Sequence, residues 1–156
     1  MNRFFSVIFI MAIALLQSVC ADDIPPGDAE KKDEALWIKV IVGEETFTAV
    51  LEDNPTASDF LSLLPLTLTL RDYSGTEKIS NLPKRLTTEK APPGIDPSVG
   101  DLAYYAPWGN LALFYNDFGF SSGLVLLGKL EAGIDAFKGS SSMTVTFEPM
   151  DRVLTP

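Results

Sequence analysis

The chain has 156 residues, with 12 lysines and arginines against 21 aspartates and glutamates, a formal net charge of −9, no histidine and a single cysteine. Without histidine, and with its one cysteine at position 20, it cannot assemble a Ser-His-Asp or Cys-His nucleophilic site or a typical zinc site. The acidic balance also disfavours nucleic acid and anionic membrane surfaces as partners.

Met1-Asn2-Arg3 opens the chain with one positive charge, and Phe4 to Leu16 follows uncharged and nearly all apolar. Val19 and Ala21 then stand at the −3 and −1 positions of a small-residue cleavage site. Residues 1–21 are therefore expected to be a signal peptide, and the protein to be exported to a periplasm or the extracellular space. The apolar run falls short of the roughly 20 residues that cross a bilayer as a helix, so no membrane span is expected after cleavage. Cys20 offers an alternative, lipid attachment at a processed cysteine. Gln17-Ser18-Val19-Cys20 matches the box favoured by that pathway only at Ser18, which places plain cleavage after Ala21 ahead. Cleavage would remove Arg3 and Cys20, leaving 11 basic side chains against 21 acidic and no internal disulfide. The remainder has the size of one domain with one core, held by packing and backbone pairing, and is expected to be monomeric.

Residues 22–35 are rich in acids and contain Pro25-Pro26, which reads as a disordered linker. The barrel-forming domain is expected over 36–150, with a short tail over 151–156. Trp37 to Val42 and Thr46 to Glu52 read as strands joined by a hairpin at Gly43-Glu44-Glu45. Thr56-Ala57-Ser58-Asp59 resembles a capping box with Thr56 as the cap, and Phe60, Leu61, Leu63 and Leu64 give the short helix an apolar face. Leu66 to Arg71 alternates, its three leucines on one side and Thr67, Thr69 and Arg71 on the other. Ser74 to Gly100 reads as a long irregular stretch, either a structured excursion or a functional loop. Leu102 to Ala106, Leu111 to Tyr115, Leu124 to Leu130 and Met143 to Glu148 are further strands, with a helical turn at Ile134 to Phe137. Some seven strands with short helices predict a closed barrel or a sandwich.

The segments Asn54-Pro55-Thr56-Ala57, Leu64-Pro65-Leu66, Asp72-Tyr73, Gly100-Asp101, Tyr104-Tyr105, Pro107-Trp108-Gly109-Asn110 and Phe114-Tyr115 carry a further signal. With them, the stretch from about Trp37 to Glu148 resembles the bacterial cyclophilin-like domain family. The resemblance implies a closed, mainly β barrel of about eight strands with short helices at its ends. It does not carry an activity with it. Cyclophilins proper isomerise X–Pro bonds through an arginine beside an apolar pocket, within a pattern that also contains histidine and glutamine. This chain has no histidine, and its only glutamine, Gln17, lies in the expected leader. Leu82-Pro83-Lys84-Arg85 offers an arginine in a loosely similar place, so Arg85 is the catalytic candidate if the chain is a divergent peptidyl-prolyl isomerase.

Neither G-x-x-x-x-G-K-S/T nor G-x-G-x-x-G occurs, and no metal or cofactor is expected. Asp101, Asp117 and Glu131 could form a carboxylate pair, although turn capping or solvation accounts for each. The more suggestive feature is the aromatic set Tyr104, Tyr105, Trp108, Phe114, Tyr115, Phe118 and Phe120, seven rings in seventeen residues. Alternation cannot bury both Tyr104 and Tyr105, or both Phe114 and Tyr115, inside one barrel. Some of these rings must meet a covering element, a loop or solvent, and they could form a groove for a peptide or small molecule. Tyr104, Tyr105, Trp108, Asn110, Phe114 and Tyr115 are the candidate ligand-binding residues, with Arg85 beside them. Arg71 and Arg85 are the two arginines between leader and tail, and a surface ion pair accounts for either. The favoured reading is an exported binding or accessory module. The isomerase and an accessory partner of a flavodoxin-type redox system, which the family resemblance suggests, are its alternatives.

Overall fold

A computed structural model describes residues 35–139 and 141–150. The expected leader at 1–21 with its Cys20, all of the acidic linker at 22–35 but its last residue, and the tail at 151–156 lie outside the described residues. The strands, in chain order, are β1 (Leu36–Val42), β2 (Glu45–Leu51), β3 (Leu66–Tyr73), β4 (Glu77–Asn81), β5 (Gly94–Ile95), β6 (Asp101–Tyr105), β7 (Asn110–Phe114), β8 (Ser121–Ser122), β9 (Leu124–Leu130) and β10 (Met143–Pro149). Helix α1 (Pro55–Leu61) follows β2, and a 3-10 turn at Ile134–Phe137 precedes β10.

Eight strands close a barrel in the order β1-β10-β3-β4-β7-β6-β9-β2, through antiparallel ladders, so the sheet presents no free edge. Strands β5 and β8 form a separate two-stranded ribbon. The barrel is that of the expected fold class, and closure excludes the sandwich that strand count alone left open. Alternation sets its interior: Ile38 and Val40 of β1, Leu68 and Leu70 of β3, Leu111 and Leu113 of β7, and Val145 and Phe147 of β10 join one buried cluster. The space among Val40, Ala49, Leu102, Leu113, Leu130 and Phe147 has essentially no room for water. Helix α1 plugs one end, with Phe60 edge-on to Phe147 at 5.9 Å.

Two local expectations are corrected. Asn54, not Thr56, caps α1: its side chain accepts from the Ala57 amide at 2.8 Å, and Pro55 occupies the first turn, where no amide is needed. Asp59 is consequently free to accept from the Thr87 amide and from Lys84, which holds its carboxyl below the usual carboxylate range. The second correction concerns the stretch from Ser74. Ser74 and Gly75 both have positive φ, 53° and 66°, and turn β3 directly into β4. Strand β4 supplies the eighth barrel strand, so the irregular excursion runs only from about Leu82 to Gly100. That excursion is pinned throughout. Leu86 enters the core and its amide donates to the Tyr104 hydroxyl, Pro93 accepts from the Gly123 amide, and Gly94–Ile95 pair with Ser121–Ser122.

Candidate functional site

The outer side of the barrel wall carries a second, smaller buried cluster: Ile79, Ala103, Ala112, Phe114 and Leu124, with Ile95 and Tyr105 against it. These residues alternate with the inward set along β4, β6, β7 and β9. Beside this layer a groove of about 190 Å³ opens to solvent. Register explains its lining. Glu77 lies opposite Phe114 on β7 and opposite Tyr73 on β3, while Asn110 lies opposite Tyr105. All five therefore share one outward face, and Trp108 and Phe118 from flanking loops, with Ser121 of β8, close the groove.

Trp108 is the least buried of the rings at its centre, 55% exposed, yet it is held on two sides. Tyr105 meets it edge-on at 5.2 Å and Tyr73 edge-on at 5.7 Å. The turn that presents it depends on Gly109, whose φ of +72° carries the reversal, while Asn110 begins β7. Gly123 packs against this turn so closely that a Cβ there would fall 2.9 Å from the Pro107 ring. Arg85 lies along the same turn, donating to the Ala106 carbonyl at 2.7 Å and to the Pro107 carbonyl at 3.4 Å.

Polar residues also line the groove beside the rings, Asn110 and Glu77 among them. Asn110 is almost fully buried; its amide nitrogen donates to the Leu111 carbonyl, but its Oδ1 has no hydrogen-bond partner. Glu77 is half-buried, and its carboxyl is pushed up to about 7, first by burial and then by repulsion from Asp72. A carboxyl that titrates near neutrality beside aromatic walls is the kind of perturbed group that marks functional sites.

The structure brings together Tyr105, Trp108, Asn110 and Phe114 of the expected set, and adds Tyr73, Glu77, Phe118 and Ser121. Tyr104 belongs to the inner core, with its hydroxyl turned to the Leu86 amide. Tyr115 is buried at the end of β7, where its hydroxyl bonds Asp72; burial first and then this carboxylate push the phenol up to about 12. The same hydrogen bond is the main reason Asp72 stays below the usual carboxylate range. Arg85 does not line the groove. It braces the turn that carries Trp108. Asp101 accepts from the Ser98 amide and pairs with Lys129, and Asp117 accepts from the Val99 amide, so these two acids tie down the loop entering β6. Glu131 is exposed near the far end of β9. Arg71 is exposed on the outer face of β3.

Lys78, next to Glu77, points the other way. Its ammonium is fully buried, donates to the Gly139 and Ser141 carbonyls, and lies 3.6 Å from Asp72 and 6.0 Å from the centre of the Tyr115 ring. Sequence reasoning missed both Glu77 and Lys78 because it read their strand as a loop. The Ser74-Gly75 pair was the available signal. Among the described residues, no group of three or more metal-ligating side chains could hold an ion, and no helix is long and apolar enough to cross a membrane.

Comparison with known proteins gives a family and a fold. The model of the Cyclophilin-like family matches residues 40–148. The solution structure of a hypothetical protein from Archaeoglobus fulgidus is similar, with a TM-score of 0.52 and 17% sequence identity, covering 74% of this chain and 95% of that one. No curated protein matches the chain.

Proposed function

This chain belongs to the cyclophilin-like family, and from that premise we propose that it is an exported, monomeric binding module whose ligand seats in the outward aromatic groove. The observation that carries this reading is the groove itself: Tyr73, Tyr105, Trp108 and Phe118 stand around about 190 Å³ of open space rather than packing it shut. That volume is below the roughly 300–1,000 Å³ of typical drug-sized ligand sites. It suits one side chain or a fragment of that size, which favours a peptide over a bulky cofactor. Amphipathic rings supply contact area at low entropic cost, and the open side admits the rest of the ligand.

An isomerase would ask Arg85 for a guanidinium directed at the substrate imide beside the pocket. Arg85 instead donates to two backbone carbonyls of its own chain, which favours a bracing role. No residue of the groove favours a flavodoxin partner. The test is an NMR titration of the full chain with blocked tripeptides of varied central residue, following the two tryptophan indole N–H signals. Trp37, on β1 outside the groove, serves as the internal control. A binding groove predicts that the Trp108 signal moves and the Trp37 signal stays. Equal movement of both, or of neither, would contradict the reading.

A further inference from the structure

Within that proposed groove, and resting on it, the geometry points to a specific occupant: we propose that the site receives the basic side chain of a peptide, with Glu77 as counter-ion and the Trp108, Tyr105 and Tyr73 rings as walls. Three observations converge. The lining contains no lysine or arginine, and Glu77 is its one carboxylate. A ligand that meets this carboxylate with N–H donors and opposite charge is an ammonium or a guanidinium, each bringing several donors.

The remaining walls are mostly aromatic, and π faces attract cations, most strongly when desolvated and when tryptophan is among them. Trp108 is wedged edge-on between Tyr105 and Tyr73, which leaves an exposed indole at the mouth. The third observation is charge. Lys78 is the neighbouring cation on β4, and it is committed on the opposite face to Gly139, Ser141 and Asp72, so it does not neutralise Glu77. No ion pair among the described residues includes Glu77. The chain as a whole carries −9, which attracts a cationic partner at long range.

A peptide side chain, rather than a free amine, follows from the surroundings. The groove holds only a side-chain volume, and Phe118 at its edge is itself 49% exposed. That surface offers contact to residues flanking the seated one. The titratable groups on the face of Glu77 are Tyr73 on β3 and Tyr105 on β6, while Asp72 and Tyr115, bonded to each other on the opposite face, act on it through the wall. None of them is a cation, so burial and Asp72 together raise the Glu77 carboxyl, and an arriving ammonium would draw it back into its charged form.

The experiment titrates the full chain with an acetylated, amidated Gly-Lys-Gly peptide, its norleucine and glutamate counterparts, and n-butylamine, at fixed ionic strength. The lysine peptide is expected to bind at least about tenfold more tightly than the norleucine peptide, the order of one desolvated cation–π contact plus one charge-assisted hydrogen bond. Glu77→Gln should erase that preference, bringing the lysine and norleucine affinities together, and Trp108→Ala should weaken both. Equal affinity for lysine and norleucine peptides, unaffected by Glu77→Gln, would overturn the cation inference and leave the groove reading standing. Butylamine binding as tightly as the lysine peptide would overturn the peptide source. No shift of Trp108 with any probe would overturn the groove reading itself.

Discussion

Tyr104 and Tyr105 are neighbours on β6 with identical chemistry, and they belong to different worlds. Tyr104 is sealed in the barrel, its hydroxyl answered by the Leu86 amide. Tyr105 faces outward along an open groove, beside an unanswered amide oxygen and a carboxyl pushed up to about 7. The same division runs through β4, where Lys78 is bonded within the barrel end and Glu77, partly exposed, has no ion pair among the described residues. The inner face is built to exclude, and the outer face keeps polar demands in reserve. The comparison teaches that one side of the wall is packed shut while the other keeps an open aromatic groove, the side we propose for recognition.

The sharpest way to break that division is to cut into each side in turn. Phe147→Ala, in the core against Phe60, should lower the unfolding free energy by about 3–5 kcal/mol in denaturant titration, the usual cost of emptying a buried aromatic site. Lys78→Met should cost about 1–3 kcal/mol, because the Gly139 and Ser141 carbonyls lose their donor while the aliphatic volume is kept.

Glu77→Gln should act in the opposite direction. The folded carboxyl is raised from 4.5 to about 7, so folding favours the protonated acid. Its contribution is fully present below about pH 4.5 and is lost as pH rises through about 7. Above that pH the uncharged glutamine should make the protein more stable than wild type by roughly 1–2 kcal/mol, a value reduced from the full shift because the group is half-exposed. The advantage should disappear by about pH 5, as seen by denaturant titration across pH. Adjacent residues on one strand would then show stability effects of opposite sign. The smallest effect is expected at Arg85→Ala, about 0.5–1.5 kcal/mol from two exposed hydrogen bonds to the turn. Its mark should be broadening of the Trp108 indole signal in NMR, with Trp37 unchanged. Loss of stability equal to that of Phe147→Ala would show that the outer layer is core after all.

Much of this division was legible in the residues before the structure. Leu66, Leu68 and Leu70 announce their face by alternation, and the impossibility of burying both Tyr104 and Tyr105 inside already demands a second layer. The aromatic run located Tyr105, Trp108, Asn110 and Phe114, although alternation alone could not tell which of each adjacent pair faced outward. Tyr115 went inward because Leu113, two residues before it, does. Glu77 stayed hidden for a physical reason: a strand with a buried lysine inside and an acid in a groove outside shows no apolar alternation. Glu-Lys-Ile-Ser-Asn reads as loop when charge is taken as a sign of solvent. The helix cap was misassigned for a smaller reason, since Asn54 and Thr56 are both good cap residues and Pro55 at the first helical position decides between them.

The central claim is that Glu77 is an unpaired acid waiting in an aromatic groove for a cation. Its carboxyl carbon can be followed by NMR across pH, in the free protein and with the blocked lysine peptide added. The account predicts a midpoint near 7 in the free protein, falling by at least about one unit when the peptide binds, since a bound ammonium stabilises the charged form. A midpoint in the ordinary glutamate range that the peptide leaves unmoved would contradict it.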